Sequence, residues 1–117
     1  MTLEEVVKKL SVLEERLKTT EDIEDIKKLQ YRYINCVSLT QWEEIMDCFT
    51  EDSTTDFAGW DVIKGKPAIY KQFKEGLSAG HVGREGNLVI HPIISVNGDK
   101  ATGNWWMFQL WKHKRTG

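Results

Sequence analysis

Two apolar runs near the C-terminal end of the chain constrain its fold more than any other feature. Residues 87–111 hold both runs, which are rich in β-branched and aromatic side chains and flank the turn sequence of residues 96–100. Asn97-Gly98 within that turn favours a tight reversal, because both residue types tolerate a positive φ. The sequence therefore predicts a long antiparallel hairpin. Such a hairpin is unstable alone in water, so helices from elsewhere in the chain must cover one of its faces.

The length of 117 residues and the net charge of −2 limit the classes of protein that this chain can belong to. One domain, residues 1–117, is expected at this length. Acidic and basic residues are interspersed, so the clustered basic surface that nucleic-acid binding requires is missing. No stretch is apolar enough to span a membrane, and no signal peptide is recognisable. We therefore predict a cytoplasmic protein without a nucleic-acid or membrane partner.

The cysteines and histidines show no pattern typical of a metal centre. Cys36 and Cys48 lie in apolar-periodic segments without CxxC spacing, which favours reduced core thiols over a disulfide or a metal role. The histidines match no HExxH or facial-triad spacing, and they are His81, His91 and His113. A phosphate-binding loop is also missing. The sequence therefore predicts neither a metal ion nor a cofactor.

Residues 2–18 predict an amphipathic helix that is additional to the rest of the domain. Apolar side chains recur there at alternating steps of three and four residues. They are Leu3, Val6, Leu10, Leu13 and Leu17. About two heptads are too few for a stable isolated coiled coil. The stripe therefore fits two arrangements, a helix that packs on a second subunit and one that folds back onto its own domain.

Two further helices are predicted before residue 50. Residues 19–22 can cap the first of them, whose apolar face would cover the hairpin. That face holds Ile23, Ile26, Leu29, Tyr33 and Val37. Thr40 and Glu43 then match a capping box that opens a short helix. Its inward side chains are predicted to be Trp42, Ile45, Met46 and Phe49.

The segment that follows predicts two short strands and another helix. Residues 54–63 alternate loosely around Gly59, which is consistent with two short strands that end at Gly65. Lys66-Pro67 suits a helix start, because proline fits the first turn. The apolar stripe of that helix holds Ile69, Tyr70, Phe73 and Leu77. This order of elements predicts an α+β fold with the helices grouped against one antiparallel sheet.

The end of the sequence raises the question of what pairs with the last strand. The chain stops soon after Trp111, so the Trp-rich strand is expected to be a sheet edge. An unpaired apolar edge promotes aggregation. We therefore expect either further strands encoded beyond residue 117 or a second subunit that covers the edge.

An ordered set of motifs, from about residue 23 to the end, carries a family resemblance. The motifs are Tyr33 followed five residues later by Ser38, then Trp42, and then residues 48–52, 65–69 and 91–105. Together they resemble the SnoaL-like families of the NTF2-like superfamily, and within it the branch of scytalone dehydratase and bile-acid 7α-dehydratase. The resemblance implies a cone-shaped α+β barrel, with helices packed on a curved antiparallel sheet around a deep apolar pocket. It also implies assembly into dimers or trimers, and the last strands of the cone are missing from this chain.

The same resemblance locates the family's catalytic positions. The pocket tyrosine is retained as Tyr33, whereas the aspartate five residues later on the helix is Ser38 here. The strand histidine corresponds to Asn87, and the second aspartate to Gln109. The family's water elimination or isomerisation resembles general acid/base chemistry without a cofactor. Serine, asparagine and glutamine cannot exchange protons near neutral pH, but they can hold a hydroxyl or carbonyl group of a ligand.

His91 is the remaining candidate base. Side chains four residues apart in a strand share a face, so Asn87, Val89, His91 and Ile93 are all predicted to face the pocket. Tyr33 and His91 would then form an acid/base pair. The alternative is a half-buried strand histidine that bonds to a neighbour. His81 is predicted to be a loop residue, close enough to reach the mouth of the cavity.

The two faces of the second hairpin strand suggest different roles. The parity that directs Gln109 toward the pocket does the same for Trp105, Met107 and Trp111, unless a bulge inverts it. These side chains could form an aromatic pocket wall or simply fill the core. Trp106, Phe108 and Leu110 would lie on the opposite face, where a large apolar patch indicates a subunit interface.

Three functions fit these observations. The first is a dehydratase or isomerase, a cofactor-independent lyase-type enzyme that acts on a steroid-, polyketide- or aromatic-type substrate. The second is a module that binds a small apolar molecule without catalysis. The third is an oligomerisation domain. We predict a SnoaL-like pocket protein that forms a dimer or trimer, with Ser38, Asn87, Trp105, Met107 and Gln109 as substrate-binding residues.

Overall fold

A computed structural model describes residues 1–78 and 86–110 of the chain. The helices are α1 (Leu3–Ser38), α2 (Trp42–Ile45), which a 3₁₀ turn (Met46–Cys48) follows, and α3 (Lys66–Lys71), which continues as a π-helical segment (Gln72–Leu77). The strands are β1 (Thr54–Thr55), β2 (Ile63–Lys64), β3 (Gly86–Asn97) and β4 (Lys100–Leu110). The predicted α+β class is confirmed. His81 and Trp111, both singled out above, lie outside the described residues.

The strands form two separate antiparallel pairs rather than a closed barrel in the described part of the chain. β1 pairs with β2, and β3 pairs with β4. The predicted long hairpin is therefore confirmed, with Asn97 opposite Lys100 and a two-residue loop between them. Gly98 takes a φ of 64° at the first position of that loop, where hairpins favour glycine. Within the two described ranges, no helix is long and apolar enough to cross a membrane.

Helix α1 is continuous, so the predicted break at residues 19–22 is wrong. Thr19 and Thr20 do not cap a new helix. Their hydroxyls donate to the carbonyl oxygens of Glu15 and Arg16, at 3.1 and 3.0 Å. Threonine can bond back onto the preceding turn in this way, which satisfies the hydroxyl without interrupting the helix.

Helix α2 also begins differently from the prediction. Its N-cap is Gln41, and no side chain caps the first turn, so the expected capping box of Thr40 and Glu43 does not form. Thr40 has a φ of 54°, and its hydroxyl donates to the carbonyl of Leu39 at 2.7 Å. The left-handed backbone at Thr40 makes the sharp turn between α1 and α2 and directs the side chain away from the helix.

The core is centred on Phe73 in the π-helical segment. This side chain is 0% exposed, and Ile45 and Ile69 beside it are equally buried. Four aromatic rings lie 5.8–6.1 Å from its ring centre, those of Tyr33, Trp42, Phe49 and Phe57. Edge-on and tilted arrangements at these distances are favourable for aromatic pairs. The C-terminal half of α1 therefore packs into an aromatic core, and the predicted inward side chains of α2 contribute to it.

A bulge interrupts the hairpin in the middle of β3. Pairing runs from Ile90 opposite Trp106 to Ile93 opposite Asn104. His91 and Pro92 therefore face the single residue Trp105, and His91 has a φ of 52°. An extra residue of this kind reverses the alternation of faces along the bulged strand. The prediction that Asn87 and Ile93 share one face is wrong, because Ile93 lies on the other side of the sheet.

Candidate functional site

A cavity of about 340 Å³ lies between helix α1 and strand β4. Tyr33 lines it from the helix, and Met107 and Gln109 line it from the strand. The remaining wall consists of Val37, Phe57, Ala58, Trp60, Phe73 and Leu77. Apart from Tyr33 and Gln109, these lining side chains are apolar. The structure thus brings together three of the residues that the sequence singled out.

Tyr33 is the one titratable side chain among the described residues that line this cavity. Burial raises the pKa of its phenol to about 12. At pH 7 only about one molecule in 10⁵ would carry a phenolate, so Tyr33 is a neutral hydrogen-bond donor. Tyr33 also lines a second cavity of about 300 Å³, together with Cys48 and Thr55. The tyrosine ring and Phe57 are shared by both cavities.

Asn87 and Ser38 are joined by a hydrogen bond beside the cavity. The Asn87 side-chain nitrogen donates to the Ser38 hydroxyl oxygen at 3.2 Å. Asn87 is only 7% exposed, and its amide oxygen is buried without a hydrogen-bond partner among the described residues. Asn87 lies directly opposite Gln109 in the hairpin, and Ser38 follows Val37 in α1. The pair therefore adjoins two side chains of the cavity wall.

The sequence identified Asn87 and Ser38 as candidate site residues but did not predict the hydrogen bond between them. Ser38 and Asn87 were identified one at a time, from the positions of an aspartate and a histidine in the resembling enzymes. An acid and a base that work together must be close, so the two positions could have been predicted to touch. The structure shows the neutral counterpart of such a pair.

The structure places His91 apart from the other candidate residues. Its side chain is exposed, and it lines neither of the cavities that contain Tyr33. It lies four residues after Asn87 in β3, which corresponds to roughly 13 Å along a strand. The bulge at His91 also interrupts the regular alternation of side chains between the two faces of β3. Tyr33 and His91 are therefore not brought together in the described part of the chain.

Trp105 is half-buried and does not line the cavity. Its ring lies over Gly103, where an added Cβ atom would come within 2.5 Å of the indole. The indole nitrogen is buried and has no hydrogen-bond partner among residues 1–78 and 86–110. Trp106 lies on the opposite face of β4 and is 70% exposed. The predicted separation of Met107 and Gln109 from Trp106 across the sheet is therefore observed.

Phe57, Ala58 and Trp60 are cavity residues that the sequence did not identify. They belong to the irregular loop between β1 and β2, where apolar periodicity carries no signal. The Trp60 ring lies against Gly76, and a Cβ atom there would come within 2.5 Å of it. The sequence shows that Trp60 and Gly76 are present but does not predict that they touch. Their contact depends on the tertiary fold.

The cysteines do not belong to a metal site in the described residues. Cys36 is buried, Cys48 is half-buried, and both are free thiols. Burial raises the pKa of each thiol, so both are protonated at neutral pH. Within the same residues, no group of three histidine, cysteine, aspartate or glutamate side chains is arranged to hold a metal ion.

Comparison with known proteins places these residues in a family context. The model of the SnoaL-like domain family matches residues 18–116. A solved structure of a protein of unknown function from Mycobacterium tuberculosis is 31% identical, with a TM-score of 0.64. The match covers 74% of this chain and 52% of that protein, so this chain spans about half of its length.

Two structures from Novosphingobium aromaticivorans show the same fold at lower identity. One is described as a candidate aromatic ring hydroxylase, with 20% identity, a TM-score of 0.74, and coverage of 83% of this chain and 69% of that one. The other is an NTF2-like protein with a cystatin-like fold, with 21% identity and a TM-score of 0.66. That match covers 89% of this chain and 84% of the other.

Proposed function

Because the chain belongs to the SnoaL-like domain family and has an NTF2-like fold, we propose that it binds a small, flat apolar molecule between α1 and β4. The observation that carries this proposal is the uncharged pair of Asn87 and Ser38 beside an aromatic cavity. In this proposal the ligand contacts Tyr33, Met107 and Gln109 in the cavity, and the Asn87–Ser38 pair supports the wall behind Gln109. Free thiols at Cys36 and Cys48 fit a reducing, cytoplasmic location.

The chemistry of the wall defines the type of ligand. A volume of about 340 Å³ is at the lower end of the range for small-molecule sites. Aromatic side chains favour a flat ring system, because they provide large rigid contact surfaces. The phenol of Tyr33 and the amide of Gln109 can bond to a ketone or hydroxyl group without bringing a charge into the site. A steroid-, polyketide- or naphthol-type molecule has this combination.

Binding is best tested with 2-naphthol and androst-4-ene-3,17-dione as probes. A probe at 100 times its Kd adds about 2.7 kcal/mol to the stability of the folded protein. For a domain of this size, Tm should then rise by roughly 10 °C or more. Thermal unfolding followed by tryptophan fluorescence measures the shift. If neither probe changes Tm at saturating concentration, an apolar binding function is excluded for these ligand classes.

The variant Ala58→Trp tests whether the probes occupy this cavity. Ala58 is exposed on the cavity rim, so an indole there can fill the cavity without overpacking the core. We expect Ala58→Trp to abolish the probe-induced rise in Tm. The matched control is Ala101→Trp, at an exposed position near the far end of the hairpin. Equal loss of binding in both variants would argue against this cavity.

A second candidate function is a cofactor-independent dehydratase or isomerase with Tyr33 and His91 as its acid/base pair, which requires a hairpin position other than the one described, because the two side chains lie apart in this structure. The observation in its favour is the left-handed backbone of His91, with a φ of 52° at a bulge. Such conformations are costly and concentrate at functional sites. Elimination of water from a β-hydroxyketone, followed through the ultraviolet absorbance of the enone, tests it. Turnover that is unchanged in His91→Gln would rule out this pair.

We further propose that the outer face of the hairpin joins subunits into a homo-oligomer. Its exposed apolar side chains are Leu88, Ile90, Ile93, Trp106, Phe108 and Leu110, at 37–72% exposure. Counting about 200 Å² for each fully exposed side chain of this size, the face presents roughly 700 Å² of apolar surface. A standard interface buries about 800 Å² from each partner. The face therefore has nearly the area that a stable contact needs.

A further inference from the structure

The N-terminal half of α1 carries an apolar seam on which nothing packs in the described part of the chain. The seam consists of Leu3, Val6, Leu10, Leu13, Leu17 and Thr20. Its first five side chains are 36–80% exposed. The family match begins at residue 18, so most of the seam precedes the domain. A contiguous row of exposed apolar side chains marks an interaction surface, which indicates that the seam has a partner.

The seam faces away from the domain to which it is attached. In the second half of α1, the helix face that contains Ile26, Gln30 and Val37 packs against the rest of the domain. At 3.6 residues per turn, that face lies about 150° around the helix from the seam. The hairpin loop at Gly98 also lies beside Thr19, on the side remote from the seam. Because α1 is one continuous helix, the seam stays on the side of α1 that faces away from its own domain.

The seam follows a heptad pattern in which Leu3, Leu10 and Leu17 are the a positions. The d positions are Val6, Leu13 and Thr20. Alternating steps of three and four residues keep all six side chains along one line of the helix. The pattern ends at Thr20, because the next apolar residues, from Ile23 onward, belong to the face that contacts the domain.

The charges beside the seam determine the orientation of the partner. Lys9 and Arg16 occupy g positions, and Glu14 and Glu21 occupy e positions. In a parallel pair, each g residue faces the e residue five positions later in the other helix. Lys9 then faces Glu14 of the partner subunit, and Arg16 faces Glu21 of the partner subunit. An antiparallel pair would instead set g against g and e against e, so that like charges meet.

We propose that residues 3–20 form a parallel coiled coil with a second copy of this chain. The segment is too short for a stable coil as an isolated peptide, but here it is the first half of the 36-residue helix α1, which the domain holds in helical form. The three leucines at a, together with Val6 and Leu13 at d, supply the apolar contact. The complementary g and e charges select parallel self-association over the antiparallel alternative. The coil is about 27 Å long at 1.5 Å per residue. This assembly does not depend on the ligand proposed for the cavity.

Cross-linking tests the parallel register directly. In the coil, residue 3 of each chain lies beside residue 3 of the other, so Leu3→Cys should form an intermolecular disulfide with oxidised glutathione. The matched control is Lys8→Cys, at an f position that points away from the partner. A disulfide-linked dimer of Leu3→Cys alone on a non-reducing gel supports the proposal. Failure of Leu3→Cys to cross-link, or equal cross-linking of both variants, overturns it.

Charge reversal tests whether the g and e residues set the pairing. Lys9→Glu with Arg16→Glu places glutamates opposite glutamates in a parallel pair and should weaken the coil on the order of 100-fold. In the Leu3→Cys background, the disulfide should be lost. Adding Glu14→Lys and Glu21→Lys reverses the remaining charges and should restore it. Far-UV circular dichroism checks that each variant keeps its helix.

Two results of the charge experiment would contradict the parallel coil. A disulfide that persists when Leu3→Cys carries Lys9→Glu and Arg16→Glu would show that the g and e charges do not set the pairing. Failure of the fourfold reversal to restore the disulfide, with the helix intact, would show that the charges act only within one chain. Either result excludes the proposed register.

Discussion

At the scale of single residues, the hydrogen bond between Asn87 and Ser38 places two uncharged groups beside the cavity. Both groups are neutral, so their contact does not depend on pH near neutrality. The amide oxygen of Asn87 is buried without a described partner, and an unmet acceptor in such a place has a free-energy cost.

Removing the Ser38 hydroxyl should destabilise the protein. Ser38→Ala leaves the buried Asn87 amide without its acceptor, which costs about 1–3 kcal/mol. Ser11→Ala is the matched control, because it makes the same change on the same helix at an exposed position. Urea unfolding of both variants measures the difference. Equal stability of the two would mean that the Asn87–Ser38 bond contributes nothing measurable.

The contact of Trp60 with Gly76 should tolerate no side chain. A Cβ atom at residue 76 would lie within 2.5 Å of the indole, so Gly76→Ala must displace Trp60 and should cost about 1–3 kcal/mol. The atoms in conflict belong to the six-membered ring of the indole. Trp60→Phe has a smaller ring system and should make Gly76→Ala less costly. A double-mutant cycle of unfolding free energies tests this, and additive effects would contradict the contact.

Single residues show why part of the site escaped sequence analysis. Tyr33 and Gln109 were located through the family resemblance, and strand parity then placed Met107 on the same face as Gln109. The bulge at His91 inserts one extra residue into β3, and the alternation of apolar and polar residues does not predict where such an insertion occurs. Pro92 was a usable warning, since proline cannot donate a ladder hydrogen bond and is common at bulges. The loop residue Trp60 offered no periodic signal.

At the scale of elements, α2 is fastened to the helix that follows β2 by a polar contact. Glu43 accepts hydrogen bonds from the hydroxyl of Tyr70 at 2.7 Å and from the ammonium of Lys74 at 2.9 Å. The bond from Tyr70, followed by that from Lys74, lowers the pKa of Glu43 to about 2. All three side chains are at the surface, so solvent screens the contact.

The Glu43 contact should be sensitive to acid. A carboxyl group with a lowered pKa stabilises the folded state fully above its unfolded pKa, about 4.3 for glutamate. That stabilisation is lost as the pH falls toward 2. Wild type should therefore be more stable than Glu43→Gln at pH 6, and the difference should shrink toward zero near pH 2. Urea midpoints measured across this range provide the check, and a constant difference would contradict it.

The helices were easier to predict than their ends. The apolar stripes of α1 and α3 were recognised because they repeat over several turns. The boundary at residues 19–22 was misplaced because Thr19 and Thr20 can either cap a helix or bond back within one. The apolar side chains do move to a different face of the helix at residues 19–22, but the helix itself continues.

At the scale of the whole molecule, the chain is elongated. Its Cα radius of gyration is 18.9 Å, whereas a compact domain of this length has about 13 Å. The principal extents of 71 × 27 × 23 Å show that one axis accounts for the difference. The N-terminal half of α1 extends along that axis beyond the core. The family was predictable from ordered motifs, whereas this shape depends on the continuity of α1.

Charges on the outer hairpin face should weaken assembly without closing the cavity. Trp106→Glu with Leu110→Glu places carboxylates in an apolar patch remote from Met107 and Gln109. We expect a smaller mass by light scattering after size-exclusion chromatography, with probe binding retained. Thr102→Glu on the same face near the loop is the control. The measurement is made in a background that carries Lys9→Glu and Arg16→Glu, so that the coil does not hold the subunits together. An unchanged mass in that background would exclude this face as an interface.

The bulge in β3 has a consequence for how relatives of this chain can diverge. Without Pro92 the ladder would be regular, and His91 would lie directly opposite Trp105. It would then share a side of the sheet with Met107 and Gln109, which line the cavity. Loss of one codon, without any substitution, would therefore move an imidazole from the solvent side of the sheet to the side that faces the cavity. Gene lineages that differ by this single deletion could differ in chemistry while every other site residue stays the same.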